Sequence, residues 1–274
     1  MSESFIADTV PCVTESSLDR AIAFLRAAAR RQAQQVIDLP HGFAVLDARF
    51  PHSYDHNKLV LTAPVSPAEA LATADELLGG AGLAHRLITA EGTTGAACAD
   101  ELVATGSQQS VDVIMAHTGA APDRPADPEI RVEALDVAAL HEPGRRDWRE
   151  RLPTAGEDVI EQLVARRVTR LGAAATVEFL AVRDDTGRIV SRADLYLDPP
   201  SGLAQIEDVQ TDQAHTRRGY ARAIMAEGLR RAQTARCDLV LVVADAYDWP
   251  RQLYTRLGYE GIGDAHTFVR PAPD

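Results

Sequence analysis

Residues 209–222, VQTDQAHTRRGYAR, decide the fold predicted for this chain. A strand-like run leads into a short loop with Arg217, Arg218 and Gly219, and an amphipathic helix pattern begins directly after the glycine. The first amides of a helix lack intrahelical partners, and the helix dipole is positive at that end. The stretch therefore predicts a strand–loop–helix unit that binds an anion such as a phosphate. An ordinary strand–helix turn with solvated arginines is the alternative interpretation.

The segments around this unit alternate between strand and helix patterns. LVLVVA at 239–244 is short, β-branched and unbroken, which is typical of a strand buried on both faces. DDTG at 184–187 predicts a hairpin turn. The predicted strands are 177–183, 189–197, 204–211, 239–244 and 266–270, and the predicted helices are 157–171, 220–233 and 249–257. We therefore predict an α/β (α+β) domain around a mixed sheet.

The first half of the chain repeats this order in weaker form. Its predicted strands are 58–62, 85–91 and 111–117, and its predicted helices are 66–78 and 95–105. Between the halves lies GAAPDRPADP at 119–128, whose three prolines and small residues are typical of a linker. We therefore predict a duplicated fold with domains at 1–128 and 129–274.

Two motifs in the second half resemble the GNAT superfamily of acyl-CoA N-acyltransferases. The family's phosphate loop, Q/R-x-x-G-x-G/A, is matched by TRRGYA at 216–221, and its L-Y-x-x-L-G-F/Y motif is matched by LYTRLGY at 253–259. Thr216 departs from the pattern, since the family usually has Gln or Arg there. The resemblance covers 129–274 well and the first half only in outline. It implies two GNAT-like domains, of which the C-terminal one is complete.

The resemblance implies acetyl-CoA as co-substrate and no metal. In the family, the strand before the phosphate loop splays from its neighbour, so that its backbone pairs with pantetheine. The cofactor-binding residues implied in this chain are Val209, Gln210, Thr211, Arg217, Arg218, Gly219, Tyr220, Ala221 and Arg222.

The catalytic groups are also implied by the resemblance. Family members with a base on this strand carry it at the positions of Gln205 and Glu207, and only Glu207 is titratable. Strict alternation puts both on one face with Val209, whereas a bulge would change the face of Asp208, which remains the second choice. Tyr254 matches the tyrosine that protonates the leaving thiolate. The alternatives are that Glu207 is a solvated or ion-paired carboxylate and that Tyr254 only packs against the core.

The acceptor pocket has weaker candidates. Asp245, Tyr247 and Asp248 follow the buried strand, although Asp248 is as readily explained as a helix cap. In the first half, PVSPAE at 64–69 stands at the position of the phosphate loop, where prolines remove amide donors and Glu69 repels pyrophosphate. We expect no acyl-CoA site there, and expect this half to form a wall of the acceptor pocket or a dimer surface.

Composition excludes several classes of protein. The net charge of -12 argues against nucleic-acid binding, which needs a basic face. No apolar run approaches ~18 residues, so no membrane span is predicted, and the N-terminus lacks a secretory signal. Three separated cysteines indicate a reducing cytoplasm. With Lys58 as the single lysine among 28 basic residues, the composition is typical of a GC-rich bacterial genome.

Two further motifs have structural explanations. LGGAG at 78–82 follows a helix instead of a strand, so a helix cap and turn is preferred to a dinucleotide loop. His52 and His56 have i,i+4 spacing in a segment without helix character, so no metal site is predicted.

The resulting hypothesis is a cytoplasmic N-acetyltransferase that acts on a primary amine of a small molecule or peptide, as a monomer or homodimer. A non-catalytic acyl-CoA-binding sensor and an interaction protein with two remnant domains are the alternatives. Retention of the Arg217–Gly219 loop argues against the second alternative.

Overall fold

The computed structural model describes residues 16–117, 119 and 125–271. Among these residues the α-helices are α1 Ser17–Gln32, α2 Pro67–Ala74, α3 Gly92–Ala104, α4 His141–Arg151, α5 Glu157–Ala165, α6 Tyr220–Thr234 and α7 Pro250–Arg256. The strands are β1 Gln35–Leu39, β2 Gly42–Leu46, β3 Lys58–Leu61, β4 His85–Glu91, β5 Gln108–His117, β6 Glu133–Leu135, β7 Thr176–Arg183, β8 Ile189–Asp198, β9 Leu203–Thr211, β10 Leu239–Asp245 and β11 Tyr259–Pro271.

All the strands of the described residues form one mixed sheet, in the order β1-β2-β3-β4-β11-β5-β10-β9-β8-β7-β6. The pairs β3–β4 and β9–β10 are parallel, and the neighbouring pairs are antiparallel. The α/β prediction with a mixed sheet is therefore confirmed.

The two halves of the chain exchange strands at the centre of this sheet. β11, from the second half, pairs with β4 on one side and β5 on the other, while β5 also pairs with β10. The cores are exchanged in the same way. Phe268 of β11 lies in the apolar cluster of the first half, and Met115 of β5 lies in that of the second. A single sheet therefore runs through both halves.

Helices cover both faces of the second half of the sheet. On one face, α6 packs on the sheet through Ile224, and a Cβ added at Gly228 would lie 2.7 Å from Ile206 Cδ1, so helix and strand approach closely. On the other face, Phe24 of α1 packs in a cluster with Tyr196. Successive residues of β9 therefore face α6 and α1 in turn.

Most of the predicted elements are confirmed by the structure. The strand at 85–91 has the predicted bounds, while β11 begins seven residues before the predicted 266–270. Helix α1 and strands β1, β2 and β6 were not predicted, and neither was α4. The proposed boundary at 128 stays a prediction, because half of 119–128, residues 120–124, lies outside the described residues.

We expect the two halves to depend on each other for folding. Residues 129–274 expressed alone would leave apolar edges of β10 and β11 unpaired, which favours aggregation. Co-expressed 1–128 and 129–274 should instead co-elute as one complex in size-exclusion chromatography. A soluble, monomeric 129–274 fragment with the thermal stability of the intact chain would contradict this prediction.

Candidate active site

A β-bulge at Asp208 divides strand β9 into two parts. The register against β8 shifts between the pairs Arg192–Gln210 and Asp194–Glu207, so that two residues of β9 oppose one residue of β8. Asp208 has φ of 54°, a left-handed conformation that is uncommon outside glycine. The predicted strict alternation is therefore wrong beyond Glu207.

The bulge brings Asp208 to the side of the sheet that holds Glu207. Both side chains line one cavity, together with that of Gln210, and Gln205 and Glu207 share a second cavity with α1. Val209 packs against the cluster that includes α6 instead. The carboxylates and Val209 thus lie on opposite faces of one short strand segment.

Strands β9 and β10 separate just before this bulge. Their parallel pairing extends only from Leu203–Leu239 to Gln205–Leu241, although both strands continue. Beyond that point β10 remains paired with β5, and β9 remains paired with β8. The opening between the strands leaves the β9 backbone around Val209 turned toward an open groove.

The loop after β9 forms a cradle at the start of α6. Gly219 has φ of 87° and Arg217 has φ of 64°, and α6 begins at Tyr220 without a side-chain cap. Backbone amides turned inward by left-handed residues form concave anion sites, and the helix dipole adds to the positive potential. The sequence-predicted anion loop therefore has the backbone conformation that such a site requires.

A groove of about 680 Å³ joins the opening to the cradle. Seven of the nine predicted cofactor residues line it, together with Tyr254. The seven are Val209, Thr211, Arg217, Gly219, Tyr220, Ala221 and Arg222. The other two do not line it: Gln210 bonds to Arg192 and Asp208 on the far side of the strand, and Arg218 is exposed.

Tyr254 lies at the groove with its ring largely buried, 6% exposed. Its ring packs edge-on against Tyr259, with centroids 6.1 Å apart. Burial raises the pKa of Tyr254, and the negative charges of Glu207 and Asp208 raise it further. The phenol therefore stays protonated at neutral pH, as a proton donor must.

Glu207 is half-buried and accepts a 2.6 Å hydrogen bond at Oε2 from Gln205 Nε2. Burial raises its pKa to about 7, against the opposing effect of Arg170 and with a further increase from the charge of Asp208. A carboxyl group that titrates at this pH can take a proton from an amine and release it again.

Asp208 has the opposite electrostatic environment. Its carboxylate forms ion pairs with Arg192 at 2.7 Å, with Arg170 at 3.4 Å and with Arg167. Although burial raises the pKa of Asp208, these three guanidinium groups hold it well below the usual range. Asp208 is thus a fixed negative charge near Glu207 and a poor proton acceptor at neutral pH.

Two of the same arginines also bind Asp194, whose side chain is completely buried. Arg167 and Arg170 lie in the segment that continues α5, and Asp194 lies on β8 beside the bulge. This ionic network fixes the bulge to the helix layer.

Glu207 and Tyr254 do not share a cavity. Glu207 lines a cavity of about 240 Å³ and another of about 170 Å³, both on the opposite side of β9 from the groove. Only the short strand segment around Val209 separates them from the groove.

The weaker acceptor candidates lie away from this carboxylate. Tyr247 is 89% exposed, and it lines with Asp248 a surface depression of about 450 Å³. Asp248 Oδ1 accepts a bond from the Trp249 amide at the start of α7. Asp245 lines none of the three cavities around β9 and the groove.

The sequence did not indicate the other walls of the cavities at Glu207. Asp55 of the first half lines both of them, and Trp148 and Arg151 of α4 line the larger one. Asp55 contacts the second half through a 3.0 Å ion pair with Arg166. No local motif marks these residues, because tertiary contacts bring them to the site.

Neither a metal site nor a membrane span is found in the described residues. His56 bonds to Ser53 at Nδ1 and to Thr169 at Nε2, and no group of three potential metal ligands occurs in 16–117 and 125–271. Over the same ranges, no helix combines the length and the apolar character needed to cross a membrane.

Comparison with known proteins identifies the family of the second half. Residues 138–259 match the sequence profile of the Acetyltransferase (GNAT) family, whose members take an acyl group from acyl-CoA. These residues therefore form a GNAT acetyltransferase domain. No curated protein matches the sequence.

Solved structures share the fold over nearly the whole chain. A GCN5-related N-acetyltransferase from Kribbella flavida is 17% identical with a TM-score of 0.61, covering 96% of this chain and 98% of its own. A functionally unknown conserved protein from Staphylococcus epidermidis is 12% identical with a TM-score of 0.64, covering 89% and 96%. A tandem GNAT protein from the clavulanic acid biosynthesis pathway is 14% identical with a TM-score of 0.50, covering 94% and 96%.

The contrast between Asp208 and Glu207 predicts different effects on stability. Asp208→Asn removes the counter-charge that three arginines share and leaves them, among the described residues, only Asp194 and Asp147, so it should lower the free energy of unfolding by about 3–5 kcal/mol. Glu207→Gln should not lower it and should raise it at pH 8, because a carboxyl group whose pKa is raised by burial destabilises the folded state when it is ionised. Urea unfolding of both variants at pH 8 measures this, and equal losses would contradict the ionic network described for Asp208.

Proposed function

From the GNAT domain at 138–259, we propose that this protein is an N-acetyltransferase that transfers an acetyl group from acetyl-CoA to a primary amine of a small molecule or peptide. The observation that carries this proposal is the groove in which the splayed strand, the anion cradle and Tyr254 meet. A thioester cofactor has a phosphate at one end and a reactive carbonyl at the other. The anion cradle suits the phosphate, the splayed strand suits the chain between the two ends, and Tyr254 suits the thioester.

The residues of the groove fit acyl-CoA. Gly219 and the first turn of α6 would hold the pyrophosphate, with Arg217 and Arg222 adding positive charge. The β9 backbone at Val209–Thr211 would hold pantetheine, although the side chain of Gln210 turns away. Arg218 would add positive charge to the loop without lining the groove.

Each proposed catalytic residue has one role. Bound acetyl-CoA supplies an activated carbonyl and a thiolate leaving group. Glu207 takes a proton from the acceptor ammonium, directly or through water, and the free amine forms a bond to the thioester carbonyl carbon. As the carbon–sulfur bond breaks, Tyr254 Oη gives a proton to the departing sulfur, and the second proton that the nitrogen loses restores the phenol through solvent. Because Glu207 lies across β9 from the groove, the acceptor enters from its cavity and meets the thioester at the bulge.

The first half is proposed to lack an acyl-CoA site. The equivalent helix, α2, begins with Pro67 after a Ser66 cap that accepts from the Glu69 amide, so its first amides are reduced or already bonded. Instead, this half contributes Asp55 to the larger cavity at Glu207, through which the acceptor would enter. We also propose that the protein is cytoplasmic, that its domains are 1–128 and 129–274, and that it is a monomer or a homodimer.

Disrupting the cradle should abolish CoA binding. Gly219→Glu introduces strain at positive φ and a negative charge beside the phosphate, so the Kd for CoA should rise by about 100-fold or more. Gly187→Glu is the matched control, because this turn glycine has φ of 84° and open space around it. Titration calorimetry with CoA should also give one site per chain. Two equivalent sites, or tight binding by Gly219→Glu, would contradict the proposed cradle.

Removing the proposed base should lower turnover and change its pH dependence. Glu207→Gln keeps the size of the side chain, and kcat should fall by about 10²–10⁴ while the Kd for CoA stays unchanged. Because only the deprotonated form of Glu207 accepts a proton, wild-type kcat/KM should rise with pH to a plateau above about 7.

The measurement is an amine screen that follows free thiol release. An unchanged pH profile in Glu207→Gln would move the role of base to a water chain or to an amine that arrives deprotonated. CoA binding without thiol release from any amine would favour the acyl-CoA sensor instead.

A further inference from the structure

The larger cavity at Glu207 is built mainly from charges. Four carboxylates and five arginines line its volume of about 240 Å³, with Trp148 as its one aromatic residue. Pockets for small molecules usually have few polar groups, so an excess of charges raises the question of which remain available to a ligand.

Three of the four carboxylates are already neutralised by arginines. Asp55 pairs with Arg166 at 3.0 Å, and Asp147 pairs with Arg192. Asp208 pairs with Arg192 and with two further arginines of the helix layer. These pairs form the walls of the cavity and leave the carboxylates little capacity for a ligand cation.

Two opposite charges remain after this pairing. Among the described residues, Glu207 has no arginine or lysine within ion-pair distance, and it accepts a hydrogen bond from Gln205. Arg151, at the end of α4, has a cation–π contact with Trp148, 5.5 Å from the ring centroid, and no carboxylate at ion-pair distance in the described ranges. Arg151 is exposed and Glu207 is half-buried, so the unpaired positive charge of the cavity lies nearer to solvent than the unpaired negative charge.

We propose that the acceptor is a small zwitterionic amine, whose anionic group binds Arg151 while its amino group reaches Glu207. This inference rests on the proposed acetyltransferase function and names the substrate class of the same site. The ligand's two charges complement the two that the cavity leaves unpaired, and a cation–π contact with Trp148 keeps the guanidinium at the cavity. The volume of the cavity suits a small molecule better than a peptide chain.

The smaller cavity at Glu207 offers a competing entry. Lys58 lines it and, among the residues described, has no carboxylate at ion-pair distance, but the residues that α1 contributes are mainly apolar, Leu25 and two alanines beside Gln32. Glu207 and Lys58 therefore form a second possible pair of binding charges. The larger cavity is preferred because it also contains the bulge, where the acceptor must meet the thioester.

The test compares zwitterions with related amines that lack the anionic group. The probes are L-alanine against L-alaninamide, β-alanine against β-alaninamide, and O-phosphoethanolamine against ethanolamine. Binding to the CoA-saturated protein is followed by calorimetry, and turnover is followed by thiol release. We expect at least one zwitterion to bind about 10- to 100-fold more tightly than its partner without the anionic group.

Variants of Arg151 and Lys58 then show which of the two cavities binds the acceptor. Arg151→Gln should raise the KM for the preferred zwitterion by about 10- to 100-fold with little change in kcat, and should leave the KM for the partner without the anionic group unchanged. Arg151→Lys should recover part of this loss. Lys58→Gln is the matched control and should change neither constant.

The outcomes separate this inference from the proposed function. Equally efficient thiol release from amines without an anionic group, or a raised KM in Lys58→Gln instead of Arg151→Gln, would overturn the inference and leave the acetyltransferase. Zwitterion binding that is lost in Arg151→Gln, without thiol release from any amine, would overturn the enzymatic function and keep the binding site. No preference for any zwitterion in either measurement would overturn the inference.

Discussion

The chemistry of this molecule depends on one strained residue, Asp208, and on the arginines that hold it. A non-glycine residue at positive φ costs roughly 1–3 kcal/mol, and it persists only where its surroundings over-determine it. Here the surroundings are three buried guanidinium groups from β8 and from the segment after α5. The ion pairs that offset the strain therefore also join the strand to the helix layer.

This constraint gives one strand segment two separate surfaces. Without the bulge, Val209 would share a face with Glu207, and the groove and the charged cavity would not lie back to back. With it, Val209 and Thr211 line the groove while Asp208 and Gln210 stay with Glu207. The charge fixed on Asp208 also raises the pKa of Glu207, so a structural residue tunes the proposed base.

The sequence predicted the parts of the molecule that have local signals. The strand–loop–helix unit at 209–222, the buried strand at 239–244 and the position of Tyr254 were all evident from short motifs. The sequence indicates the bulge only as an alternative to strict alternation, because an aspartate tolerates left-handed φ without requiring it.

Features that arise between distant segments had no local signal. Helix α1 has an apolar face with Phe24 and Ala28 four residues apart, but its packing partner is in the other half of the chain. The walls formed by Asp55, Trp148 and Arg151 depend in the same way on tertiary contacts. The repeated order of strands and helices does not predict the exchange of β5 and β11. Each half would show the same order of elements whether its last strand paired within that half or with the other half.

The exchanged strands have a consequence for synthesis of the chain. The β4–β11 ladder joins residues as far apart as His85 and Pro271, so its pairing is highly non-local and is expected to form slowly. Until β11 emerges from the ribosome, the nascent chain carries β4 and β5 with open edges and the first apolar cluster without Phe268. The topology therefore keeps apolar surface and strand edges exposed until the last strand has been synthesised, which is the state in which nascent chains aggregate.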